Sequence, residues 1–197
     1  GKRVQLGYAG CRVHARFRGT GIRFRLSETS FGEKSWYHII IDGDTANPVL
    51  FSPGSADEHT ITEGLPYGEH SVDLIRLFGG KQAITQFYGI VINENDELLE
   101  PLPQPTRRIE FYGNSVTEGG AIEDQPYTHM EFNDNNWFSY SSVASRALGA
   151  EYSCIARSGI GLVNGYQNFP MTEMWDRSLS WNFAAFNWDF SNWTPHI

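Results

Sequence analysis

Cysteine is almost absent from this chain. Two thiols, Cys11 and Cys154, in 197 residues exclude a disulfide framework and, unaided, a zinc site. They fall in different halves of the sequence and read as two buried thiols in preference to a bridge. Long apolar runs are missing too. The longest is a few residues around Ile39, Ile40 and Ile41, so the sequence predicts no membrane-spanning helix. No signal-type leader opens it, which carries no weight because a processed chain reads the same way. Positive charge is scarce, with 15 basic against 23 acidic side chains and a net charge of −8. Up to Gln104 there are 10 basic and 13 acidic residues, and beyond it 5 and 10. Neither half is the basic body that nucleic acid requires. The remainder is a globular profile, 40% apolar, 14% aromatic and 19% charged, at a length suited to one domain or two small ones.

What is present follows two grammars. Val13, Ala15 and Phe17 alternate with Arg12, His14, Arg16 and Arg18; after Gly19-Thr20-Gly21, Ile22, Phe24 and Leu26 alternate with Arg23 and Arg25. A period of two is the pattern of a half-buried antiparallel strand. Further β-rich runs cover residues 36–41, 48–51, 58–62, 70–77 and 82–92, separated by turn signals at Asp42-Gly43, Pro53-Gly54, Pro66-Tyr67-Gly68 and Gly79-Gly80. Many short strands without a convincing helix predict a jelly-roll β-sandwich over residues 1–103. The arginines of the first two strands would line one outer face. That face reads as a solvated surface balanced by the acidic surplus, ahead of a patch for uronate-bearing polysaccharide. Asp42-Gly43-Asp44 reads as a hairpin turn, ahead of a calcium loop.

Pro101, Pro103 and Pro105 cannot continue a ladder, because proline donates no hydrogen bond and fixes φ; they mark a short, stiff linker. Beyond it, residues 108–112 predict a strand, 135–148 a helix stopped by Gly149, and 152–156 a second strand. Strand, turn, helix, strand, turn is the opening of a parallel α/β sheet with its functional loops at the carboxyl ends of the strands. Two parallel strands do not make a stable sheet, so residues 104–197 are expected to form an incomplete domain, cut here or continued in another polypeptide.

The sharpest local signal is Gly113-Asn114-Ser115-Val116-Thr117-Glu118-Gly119, directly after the residue 108–112 strand. A serine in a tight turn at a strand's carboxyl end presents its hydroxyl beside free backbone N–H groups, and an acyl-transfer nucleophile needs both. It is not the G-x-S-x-G elbow, since Thr117 stands where the second glycine belongs. Taken alone, it reads first as an ordinary strand-to-loop turn, ahead of a nucleophile turn.

Together with Ser158-Gly159-Ile160-Gly161 after the next strand, this turn resembles the SGNH hydrolases, whose first signature is G-D/N-S-x-T-x-G and whose second is a glycine in the following loop. A jelly roll ahead of such a turn resembles carbohydrate esterase family 2, two-domain enzymes that deacetylate plant polysaccharides such as xylan. Residues 64–72 (Gly-Leu-Pro-Tyr-Gly-Glu-His-Ser-Val) match its sandwich, and Asn168-Phe169-Pro170-Met171 with Trp188-Asp189-Phe190 match its approach to a third strand. The resemblance implies a flavodoxin-like, three-layer hydrolase domain. Its nucleophile would be Ser115, with the N–H groups of Ser115 and Gly159 as oxyanion donors and Asn114 as a loop-fixing hydrogen-bonder.

Two family parts have no counterpart. The third oxyanion donor belongs to a G-x-N-D motif after the next strand, and the general base is a histidine in D-x-x-H. Only His129 and His196 follow Ser115, and neither has an aspartate three residues earlier. The chain is thus expected to carry the nucleophile half of an esterase site, with the C-terminal remainder of the domain as its partner and an acetylated polysaccharide or oligosaccharide as substrate. No metal or organic cofactor is implied, nor a nucleic-acid or membrane partner, and a polymeric substrate implies secretion. Two rivals stay open: a non-catalytic carbohydrate-binding protein, and an SGNH esterase acting on small acyl substrates. Trp175, Trp181, Trp188 and Trp193 read as packing residues ahead of a sugar platform. Glu118, Glu123 and Asp124 read as solvated loop charge.

Overall fold

The computed structural model describes residues 3–30, 34–79, 83–125, 128, 130–180, 187–189 and 191. Contacts divide the chain into two compact units. One comprises Gly1–Leu6, Arg12–Arg76 and Gln82–Pro103, and the other Gly7–Cys11, Leu77–Lys81 and Gln104–Ile197. The last division falls within the proline-rich stretch. Two short segments of the first hundred residues nevertheless go with the second unit.

The first unit holds β1 (Val4–Leu6), β2 (Arg12–Gly19), β3 (Ile22–Ser30), β4 (Tyr37–Ile41), β5 (Val49–Phe51), β6 (Glu58–Thr62), β7 (Gly68–Arg76), β8 (Ala83–Val91) and β9 (Glu97–Leu99). They form two antiparallel sheets, ordered β1-β8-β3-β6 and β5-β4-β7-β2-β9. The alternation in the sequence sets which side faces in: Ala15 and Phe17 of β2, Ile22, Phe24 and Leu26 of β3, and Val72 and Leu74 of β7 are all buried. A bulge between Arg25 and Leu26 opposes β8 where Gly89 adopts φ 149°, which a side chain rarely tolerates.

The arginine-bearing strands are not neighbours. β2 and β3 lie in different sheets, because the Gly19-Thr20-Gly21 turn passes the chain from one to the other. Each set of arginines finds carboxylates on its own sheet. Arg12 meets Asp73, Arg16 and Arg18 share Glu69, Arg18 also reaches Glu97, and Arg23 and Arg25 share Glu58. Such exposed pairs are each worth about 0–1 kcal/mol; the face is a balanced one. At the Asp42-Gly43 turn both residues have positive φ, the conformation of a tight hairpin. The Asp42 carboxylate accepts from His70 Nδ1 at 2.7 Å and from the Ser71 N–H at 2.8 Å. Contact with the Pro66 carbonyl and then with Asp42 holds the His70 imidazole above its ordinary range.

The second unit is built on two parallel strands, β10 (Arg108–Gly113) and β11 (Glu151–Ala156), paired in register from Arg108 opposite Glu151 to Gly113 opposite Ala156. Between them run α1 (Ser115–Glu118), a 3-10 turn at Asn136–Phe138 and α2 (Tyr140–Ala147). The single helix expected over 135–148 is therefore split. Asn135 caps the 3-10 turn by accepting from the Trp137 N–H at 3.0 Å, and Ser139, in extended conformation, caps α2. Two capping residues in succession start two helical pieces instead of one. The buried face of α2 is not its apolar one: Ser141, Ser142 and Ser145 are buried, while Tyr140, Val143 and Leu148 are about half exposed. Small side chains let α2 approach closely, and their hydroxyls are satisfied locally, Ser145 Oγ on the Ser141 carbonyl at 2.8 Å and Ser141 Oγ on the Thr117 carbonyl at 3.3 Å. The core of this unit gathers Tyr8, Ile155, Ile160, Phe169, Met171 and Met174, with Ala9, Cys154 and Ala156 beside it. Both cysteines are free thiols, Cys154 buried and Cys11 half-buried.

The first unit is not purely apolar inside. Arg76, at the end of β7, is fully buried and donates to the Leu6 carbonyl at 2.6 Å, the Ala83 carbonyl at 2.7 Å and the Tyr37 hydroxyl at 3.2 Å. Tyr37 in turn donates to Thr85 Oγ1 at 2.6 Å. Arg76 and Tyr37 belong to one sheet, and Leu6, Ala83 and Thr85 to the other, so this network joins the two sheets by directed bonds. Replacing Arg76 by Met leaves the Leu6 and Ala83 carbonyls without that donor and is expected to cost about 2–4 kcal/mol. Tyr37→Phe should cost about 1 kcal/mol. Urea titration of both variants measures the losses, and equal midpoints for Arg76→Met and the native protein would refute the account.

Candidate active site

Parallel pairing brings the carboxyl ends of β10 and β11 side by side, with Gly113 opposite Ala156 and the Arg157 N–H donating to the Gly113 carbonyl at 3.1 Å. The two turns singled out in the sequence leave from these ends. Ser115 is the first residue of α1 and is half-buried. Asn114 is its N-cap, its side-chain oxygen accepting from the Val116 N–H at 3.1 Å. This bond satisfies one open donor of the helix start.

Several positions of the glycine-bounded turn have a steric or hydrogen-bonding reason. A Cβ on Gly113 would collide with Thr117, whose hydroxyl is paired with Tyr140 OH at 2.9 Å. Gly119 ends α1 with φ 86°, and a Cβ there would stand 2.5 Å from the Asn135 carbonyl oxygen. Asn136, fully buried, donates through Nδ2 to the Thr117 and Glu118 carbonyls at 3.1 Å each and accepts from Tyr152 OH at 2.6 Å. It thereby clamps the back of α1 against β11. Nothing in the sequence singles Asn136 out for this clamp, since in the run Asn133-Asp134-Asn135-Asn136 it reads only as a helix cap.

The second turn, Arg157 to Ile160, closes with the Ile160 N–H on the Arg157 carbonyl at 3.2 Å, and Gly159 takes φ 76°. Its carbonyls are held from the following loop. Gln167 Nε2 donates to the Ser158 carbonyl at 2.7 Å, and the Tyr166 N–H donates to the Gly159 carbonyl at 2.8 Å. Arg157 itself donates to Gln167 Oε1 at 2.8 Å and the Ser180 carbonyl at 2.7 Å, and stacks on Phe169. Burial lowers its pKa to about 10. Among the described residues, neither the Ser115 nor the Gly159 N–H has a hydrogen-bond acceptor. A cleft of about 210 Å³ opens at this end, lined by Gly113, Asn114, Ile160, Gly161, Leu162 and others. The residues from each turn that flank it are the neighbours of Ser115 and Gly159. His129 and His196 lie outside the described residues.

Glu118 departs from its expected place in solvent. It is 1% exposed, and its Oε2 accepts from Ser158 Oγ at 3.1 Å. Burial pushes the carboxyl up to about 8, with Asp134 adding to the rise and the Ser158 donors and Arg157 opposing it. Glu123, by contrast, is exposed and accepts from Asn135 Nδ2. Two of the four clustered tryptophans, Trp181 and Trp193, lie outside the described residues. Trp175 and Trp188 are 44% and 52% exposed, not core, and border a pocket of about 150 Å³ with Glu110, Tyr112, Ser153, Ile155 and Asp189.

The raised pKa of Glu118 has a defined consequence for stability. The folded chain keeps a proton that an unfolded carboxyl, with an ordinary value of 4.5, gives up. Its contribution is complete below that value, declines as pH rises, and is gone above about 8. The thermal midpoint of the native protein should therefore fall relative to that of Glu118→Gln as pH rises from 4.5 to about 8, and the difference should stay level beyond. A difference that is constant across this range refutes the burial of a protonated carboxyl.

The family model described as carbohydrate esterase 2 N-terminal matches residues 1–103. The chain is 28% identical over 195 residues to the cellulase/esterase CelE of Acetivibrio thermocellus, a match covering 96% of this chain and 23% of that protein. It is 27% identical over 154 residues to an acetylxylan esterase / glucomannan deacetylase of Cellvibrio japonicus, covering 76% of this chain and 41% of that one. The solved structure of a family two carbohydrate esterase from Clostridium thermocellum in complex with cellohexaose matches with a TM-score of 0.79 at 28% identity, over 97% of this chain and 58% of the other. The chain thus spans less than half the length of these curated relatives. The family model nonetheless accounts for more than half of this sequence, and on that ground the chain belongs to carbohydrate esterase family 2.

Proposed function

We propose that this chain supplies the nucleophile and two oxyanion donors of a serine esterase that removes O-acetyl groups from plant-type polysaccharide, of the acetylxylan or glucomannan kind. One observation carries the reading: Ser115 and Gly159 leave the carboxyl ends of two paired parallel strands, each with an N–H unengaged among the described residues. On this reading β10, α1, α2 and β11 open an SGNH-type α/β domain. The names of the relatives, a cellulase/esterase and an acetylxylan esterase / glucomannan deacetylase, support the same substrate class.

Ser115 Oγ attacks the acetyl carbonyl carbon while its proton passes to an imidazole supplied by the remainder of the domain. The carbonyl oxygen becomes an oxyanion held by the Ser115 and Gly159 N–H groups. Collapse expels the sugar alkoxide, which takes the proton, and leaves acetyl-Ser115. Water, deprotonated by the same base, then releases acetate and restores the serine. The route needs no cofactor. A polymeric substrate places the enzyme outside the cell, and export is part of the proposal.

A second reading, glycan binding without turnover, has the half-exposed Trp175 and Trp188 in its favour, since indole faces stack on sugar rings. One set of experiments separates the readings. In a protein joining this chain to the histidine-bearing remainder of the domain, acetate should be released from acetylated xylan or glucomannan and from an aryl acetate. Esters with longer acyl chains should react far more slowly. Ser115→Ala should lower kcat by roughly three orders of magnitude or more. An unchanged rate in Ser115→Ala overturns the assignment, and xylan retardation in affinity gels without acetate release favours the binding module.

A further inference from the structure

Glu118 closes α1, three residues after Ser115, and its side chain is enclosed by protein. The carboxyl accepts from the hydroxyl of Ser158 at 3.1 Å, a residue 40 positions away and next to Gly159. Its other oxygen, Oε1, is buried with no hydrogen-bond partner among the described residues and faces Gly79, where a Cβ would collide with it. A buried carboxyl with one oxygen unpaired is a costly way to fasten two loops. An apolar residue would fill the space at less cost but could not hold Ser158 by a directed bond. That bond joins the helix that begins with the serine to the turn that presents the second N–H.

We propose that Glu118 is a positioning residue for acyl transfer at Ser115, fixing through Ser158 the direction in which the Gly159 N–H meets the developing oxyanion. The inference rests on the esterase reading of Ser115. Oxyanion donors act only when aimed at where charge develops, and a displacement of about 1 Å costs about 100-fold in rate. The charged and titratable groups facing the carboxyl are Asp134 from the segment before the 3-10 turn, Arg157 at the end of β11, Cys154 within β11, and Tyr8 from the Gly7–Cys11 segment. Of these only Arg157 is a cation, and burial keeps the acid protonated at neutral pH. Ionisation at higher pH would set a negative charge beside the site of the oxyanion and oppose it.

The test uses the protein joined to its histidine-bearing remainder, with an aryl acetate as substrate and rates normalised to the serine labelled by a fluorophosphonate. Glu118→Ala should lower kcat by about 10- to 100-fold with KM within about twofold. Glu118→Gln, which keeps an acceptor for Ser158, should recover kcat to within about threefold of native. It should also lose the component of alkaline decline centred near pH 8. Ser158→Ala, a milder change that guards against a misfolded Glu118→Ala, should lower kcat by about three- to tenfold. Combined with Glu118→Ala, it should add almost nothing. Native kcat in Glu118→Ala or in Ser158→Ala overturns the proposal, as does a Glu118→Gln enzyme as slow as Glu118→Ala with its alkaline limb unmoved. Ser115→Ala run alongside keeps the two readings apart: background activity there with native activity in Glu118→Ala rejects the role of Glu118 alone, whereas native activity in Ser115→Ala rejects the esterase reading itself.

Discussion

In the ladder between β10 and β11, six consecutive pairs run in parallel and end with Gly113 opposite Ala156. Parallel strands terminate at the same edge, so whatever turn follows each of them emerges next to the other. This constraint gives a serine and a glycine 44 positions apart in the sequence a shared location. An antiparallel pairing of the same segments would have sent the two turns to opposite ends. The chemistry proposed for this edge would then depend on backbone N–H groups that the helix start at Ser115 and the left-handed Gly159 leave without acceptors among the described residues.

The glycines of the serine turn show how backbone space is converted into orientation. Gly113 gives up its side chain to Thr117, and Gly119 gives up its own to the Asn135 carbonyl. The four-residue α1 is therefore wedged between a strand end and a capping loop, with Asn136 holding its rear carbonyls. A helix this short has no stability of its own. Its place is set by those contacts, and a serine borne on it inherits their precision.

How much of this could be read from residues alone depended on the range of the interaction. The alternation of Phe17, Phe24 and Leu26 with arginines is a local pattern, and the buried faces of β2 and β3 follow it. β1 and β9 span three residues each, too few to show any period. That β2 and β3 belong to different sheets was hidden, because a glycine-rich turn is compatible with a hairpin and with a change of sheet alike. The same holds for α2. Its sequence has an apolar stripe, yet the face that packs is the serine one, selected by how closely the helix must approach Thr117. At the candidate site, the serine turn and its glycines were legible as a motif. Glu118 was not, because its neighbours in sequence are those of an exposed loop and its partner lies 40 residues on.

The path of the chain between the two units bears on how the molecule can be taken apart. Gly7–Cys11 and Leu77–Lys81 belong to the unit that otherwise begins at Gln104, so the backbone passes between the units five times. Tyr8 and Ala9 sit in the core clusters of that unit. Excision at the prolines would strip it of part of its interior, and a single nick there would leave the two halves still threaded by four other crossings. The boundary between the units is crossed at five places along the sequence, and no one peptide bond marks it.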